Sequence, residues 1–178
     1  MSGFNFCNGC DFKKCKCGDK RGYCGPTDIT VLPNPISTAD FFALMPGDNP
    51  ATVALGGYVD FPQDGVFVGT DITRDGNSPE SFKLGPIGVY QVLFQVSVSE
   101  AGQLQLQLNG NPIPNSVVGR ATGTSQIVGI SLIRTTTVNN ILRIQNPSGN
   151  STALTITPTA GGASSVSAHV VITLLSRN

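Results

Sequence analysis

Apolar residues recur at every second position through most of this chain, and nowhere do they keep a helical period. In VYQVLFQVSVSE, residues 89–100, Tyr90, Val92, Phe94, Val96 and Val98 fall on one side, while Gln91, Gln95, Ser97 and Ser99 fall on the other. That is the pattern of a half-buried strand. GQLQLQLNGNPIP, residues 102–114, alternates Leu104, Leu106 and Leu108 with Gln105 and Gln107, then reaches Asn109-Gly110, the pair best suited to the positive φ angles of a tight hairpin. The same alternation picks out Val128, Ile130 and Leu132 in SQIVGISLI, Leu142 and Ile144 in NILRIQN, and Leu154 and Ile156 in STALTITP. In SAHVVITLL it picks out Ala168, Val170, Ile172 and Leu174.

Strands of this kind, separated by Gly, Pro, Asn and Asp, predict an all-β fold, an antiparallel jelly-roll sandwich. Tyr90, Val92 and Phe94, with the strand around Val170, are the candidates for core or intersubunit packing. Several polar faces carry Gln, Ser or Thr in place of charge, and neutral amides are buried against a second copy at lower cost than Lys or Glu. The pattern therefore predicts an oligomer.

Texture divides the chain into three parts: a Cys-rich head at 1–24, a Pro-containing linker at 25–40, and the alternating body at 41–178. Pro26, Pro33 and Pro35 hold the linker extended. Only 12% of the 178 residues are charged, against about 25% in an average soluble domain. The net charge is zero, but Lys13, Lys14, Lys16, Lys20 and Arg21 make the head basic and leave the body acidic. The basic run is short and has no companion patch in the body, so charge pairing between neighbouring copies fits it better than nucleic acid. No apolar run approaches the ~18 residues of a membrane helix, and the N-terminus does not read as a secretory signal. Synthesis in a cytosol that is later lost, as in a sporulating mother cell or an infected host, is the expectation.

All five cysteines, Cys7, Cys10, Cys15, Cys17 and Cys24, lie in CNGCDFKKCKCGDKRGYC. A structural zinc site wants four ligands in two separated pairs; here the second pair is Cys-x-Cys, no His is near and one thiol is left over. A redox Cys-x2-Cys would open a helix in an α/β context, which is missing. Intermolecular disulfides fit best, because an odd number of thiols cannot all pair within one chain and oligomerisation concentrates them. Phe4 and Phe6 share a side if GFNF is extended, and they predict a peptide that docks on a neighbouring assembly by strand addition or by filling an apolar groove.

Catalysis is not expected. The lone histidine, His169, has no nucleophile motif beside it, and no phosphate loop or nucleophile elbow appears. Asp60, Asp64, Asp71, Asp75 and Glu80 could hold calcium weakly, but their spacing matches no EF-hand loop and reads as solvated loop carboxylates. No cofactor is implied.

Four stretches, FFALMPGDNPATVALGGYVDFPQDG (41–65), LGPIGVYQVLFQVSVSEAGQLQLQLNG (84–110), VVGRATGTSQIVGISLI (117–133) and NPSGNSTALTITPTAGGASSVSAHVVI (146–172), resemble the C-terminal domain of the collagen-like glycoproteins of the bacterial exosporium. The resemblance implies a jelly roll of the C1q and tumour-necrosis-factor type assembled as a tight trimer. The family's Gly-X-Y run and exosporium leader have no match here, so a short connector replaces the collagen stalk. The expected function is a self-assembling structural subunit of a spore-surface fibre or exosporium layer. Its partners would be other copies, joined head to tail, and spore-coat or exosporium anchor proteins, with no nucleic acid and no membrane. A surface-anchored binding head and a viral capsid or fibre jelly roll are the alternatives.

Overall fold

Period-two alternation builds two antiparallel sheets whose apolar faces meet. The computed structural model describes residues 37–44, 47–48, 52–121, 124–157, 162 and 166–178. The chain divides into two units after Leu32, and all of these residues lie in the second. The Cys-rich head and most of the linker, with Cys7, Cys10, Cys15, Cys17, Cys24, Phe4 and Phe6, lie outside them.

In chain order the strands are β1 Thr38–Leu44, β2 Thr52–Val53, β3 Gln63–Val68, β4 Ile72–Arg74, β5 Phe82–Leu84, β6 Gly88–Val98 and β7 Gly102–Leu108. They continue with β8 Asn111–Pro112, β9 Val118–Arg120, β10 Ser125–Arg134, β11 Asn140–Gln145, β12 Leu154–Thr155 and β13 Val166–Arg177. The front sheet runs β10-β6-β13-β1-β3 and the back sheet β4-β5-β11-β7-β8, with β9 also on β7; β12 and β2 form a small ribbon. From β5 to β6 to β7, and again from β10 to β11 to β13, the chain crosses between sheets. That is jelly-roll connectivity.

β6 shows why these residues form these strands. Tyr90, Val92, Phe94, Val96 and Val98 are all buried, and they meet Leu104, Leu106, Leu142, Ile144, Phe82 and Leu84 of the back sheet. Burying each such side chain contributes about 1.5–3 kcal/mol. Phe41 sits among aromatics, 4.5 Å from Phe82 and 5.3 Å edge-on from Phe67. The β7–β8 hairpin turns at Asn109 and Gly110, with φ of 51° and 80°, as the Asn-Gly pair predicts. The Asn109 side chain also accepts the Ile141 amide at 2.8 Å and donates to Asn140 Oδ1 at 2.7 Å, tying the turn to β11.

Three expectations are corrected. β1 begins at Thr38, so 38–40 of the stretch read as linker are strand, with Ala39 buried in step with Phe41. Gln105 and Gln107 do not await a second copy, because their own chain buries them. The apolar set in β10 faces outward: Val128, Ile130 and Leu132 are 54%, 63% and 60% exposed, while Ile127 and Ile133 point into the core with Gly129 and Ser131. Gly129 sets this phase, since a Cβ there would lie 2.4 Å from the Phe94 ring. A one-residue slip would force Val128 or Ile130 into that space.

Candidate self-association face

The outer surface of the front sheet collects what the core leaves over. On β10 stand Val128, Ile130 and Leu132; beside them on β6 is Leu93, 43% exposed; and Val171 follows on β13. A shallow depression of about 260 Å³ lies among them, lined by Leu93, Phe94, Gln95, Val128, His169 and Val171. Past it, on β1, Phe42 lies opposite His169 with the rings 6.2 Å apart, edge to face. The open edge on β3 adds exposed Val66 and Val68. Exposed apolar side chains grouped in this way are enriched at sites of association.

Among the described residues, charge on this face is confined to one pair at its centre and to the rim. Asp40 of β1 meets His169 Nε2 of β13, and its carboxylate lies over Gly65, where any Cβ would clash with it. Gln91, Gln95, Ser97, Thr38, Ser167 and Thr173 supply uncharged polar groups on the same side of the central strands. At the rim, Asp48 accepts from Gln63 Nε2 at 3.0 Å and from the Leu44 amide at 2.8 Å, Asp64 pairs with Arg74, and Arg134 ends β10. Among the described residues β10 is also an edge strand: its ten residues pair with β6 in unbroken register, with no bulge, proline or lysine within it. Natural sheets guard such edges or use them for association.

At one end of the front sheet, Asp71 accepts from the Ser37 hydroxyl and the Arg177 guanidinium. The Ser37 hydroxyl more than Arg177 holds its carboxyl below the usual carboxylate range. Beside it Tyr90 donates to the Pro86 carbonyl at 2.7 Å, and burial pushes its hydroxyl up to about 12. The chain enters β1 at this end.

Tyr90, Val92, Phe94 and Val170 sit between the sheets as core and do not point out of this face. The carboxylates read as calcium candidates are dispersed: Asp64 on Arg74, Asp71 in its clasp, and Glu80 3.9 Å from Arg143. Burial and the nearby Glu80 push the Asp60 carboxyl up. Among the described residues no three His, Cys, Asp or Glu side chains gather as a metal site. The residues that do converge, Asp40, Phe42, Leu93, Val128, Ile130 and Leu132, were missed as a set. Gly129 and Ser131 in the opposite phase of β10 were the available signal.

No family model matches the sequence, and no curated protein is similar to it. Among solved structures, the globular domain of zebrafish complement 1qA protein aligns with a TM-score of 0.47 at 12% identity, over 81% of this chain and 99% of that one. Murine APRIL aligns at 0.49 and 11%, over 79% and 99%. PRD1 vertex protein P5 aligns at 0.46 and 16%, over 79% and 97%. The jelly-roll assignment rests on this chain's own strand order and register.

Proposed function

We propose that this protein is a structural subunit that assembles with its own copies through the front face, as a homotrimer, and that trimers are joined through the N-terminal connector into a fibre or layer on a spore surface. The observation that carries self-association is the pairing of an unguarded ten-residue edge with the exposed side chains of Val128, Ile130 and Leu132. Covering them removes apolar area from water at about 25 cal/mol per Å², and among the described residues the one charged pair at the centre of this face is Asp40 with His169.

The trimeric state, the spore surface and the anchor proteins of coat or exosporium come from the resemblance to exosporium glycoproteins. The connector's role comes from the five clustered cysteines, which would form disulfides between copies, and from Phe4 and Phe6, which would dock on the next trimer. Asp40, Asp48, Asp64, Asp71 and Glu100 are engaged by partners within the chain, in keeping with a structural role.

Mass photometry and negative-stain electron microscopy of the full chain, with and without reductant, test this reading. The expected result is filaments that disperse to trimers on reduction. Monomers at every concentration would overturn it, and trimers indifferent to oxidation and reduction would retire the connector's part. Removing residues 1–24 should leave trimers without fibres.

A further inference from the structure

Asp40 and His169 occupy the middle of a surface otherwise made of apolar and amide groups, and His169 helps to line its depression. In a single copy their side chains are 24% and 35% exposed, so water still reaches both. We infer that this pair couples self-association through the front face to pH, with copies binding one another more tightly in mild acid than in mild base. The inference rests on the proposed function and adds its regulation.

The sign follows from what covering the pair does to each protonation state. With His169 neutral, association buries a carboxylate whose partner is only a dipole. With His169 protonated, it buries an ion pair of no net charge, which is dehydrated at lower cost. Association therefore favours the protonated imidazole and raises its proton affinity in the assembled state. The protonated imidazole therefore adds to assembly at low pH, and that contribution is lost as pH rises and the ring gives up its proton.

Among the described residues, the neighbours supply no competing charge. On β6 the residue opposite His169 is Gln95, with Leu93 and Ser97 beside it; on β13 the same side carries Ser167 and Val171. On β1 stand Phe42 and Asp40. On β3 and the loop before it, Asp64 is held by Arg74 and Asp48 by Gln63, while β10 offers no charge before Arg134 at its end.

Sedimentation equilibrium of the full chain in reductant, at about pH 5.5 and about pH 8, tests the pair. The expected result is a dissociation constant lower by about tenfold per copy in acid. His169→Gln keeps an amide donor toward Asp40, and it should assemble with no pH dependence in this interval. Asp40→Asn leaves the imidazolium without a counter-charge and should reverse the trend. Assembly equal at both pH values, or a trend that survives in His169→Gln, overturns the inference and leaves self-association standing. A monomer at both pH values overturns the two together.

Discussion

The two sheets present opposite solutions on their outer faces. On the back sheet the polar positions of β7 and β11 are used up within the chain. Gln145 Oε1 accepts from Gln105 Nε2 at 2.8 Å and Gln107 Nε2 at 3.0 Å, and its own amide donates to the Gly56 carbonyl at 2.9 Å. The Tyr58 hydroxyl donates to Gln107 at 3.0 Å, and the Arg143 guanidinium lies 5.0 Å over the Tyr58 ring. Each of these glutamines is under 9% exposed, roofed by residues 56–58. On the front sheet the outward positions Val128, Ile130 and Leu132 of β10 are apolar, and nothing among the described residues roofs them. A polar face was closed by its own loop and an apolar one left open, so exposure here follows which groups found a partner and not their hydropathy.

Removing support common to both faces should have the largest effect. Phe41→Ala takes the ring from between Phe82, Phe67 and the Arg74 guanidinium, and should destabilise the fold by about 3–5 kcal/mol in urea titrations. Ile130→Glu separates the faces: a carboxylate at the covered edge should weaken assembly by about 2 kcal/mol or more per copy, roughly thirtyfold. The lone copy's stability should move by only about 0.5 kcal/mol, since the site is exposed. Unaltered assembly would place the contact elsewhere. Gln145→Leu should do the converse, costing about 1–3 kcal/mol of stability by stranding the Gln105 and Gln107 amides, with assembly unchanged. A shift in oligomeric state there would make the back face part of the interface.

The strands were legible because their alternation is a local property. Tyr90 to Val98, Ala168 to Leu174 and the Asn109-Gly110 turn follow from neighbours in sequence. Which side of a strand faces inward is not local when both sides are apolar. In SQIVGISLI, Ile127 and Ile133 compete with Val128, Ile130 and Leu132, and the contest is decided by room beneath Gly129, where Phe94 of another strand lies. Gln105 and Gln107 failed for the same reason, since their partners are Tyr58 and Gln145, at least 38 positions away along the chain. The Asp40–His169 pair joins residues 129 positions apart, and one member fell in a stretch read as linker.

The smallest predicted effect concerns a carboxylate at the end of the front sheet, Asp71 in the turn between β3 and β4, whose partners Ser37 and Arg177 belong to its own chain. Its lowered folded pKa means that its stabilisation is present above the unfolded value of about 3.9 and is lost as pH falls through the folded value. The urea midpoint of the native chain should therefore fall further between about pH 6 and about pH 3 than that of Asp71→Asn; equal falls would deny the clasp any part in acid stability. Because both partners are internal, this loss should be the same at every protein concentration. The response of Asp40 and His169 should grow with concentration, since association is what removes their water. One carboxylate in the clasp at the sheet's end and one at its centre would then separate a charge satisfied by folding from a charge satisfied by assembly.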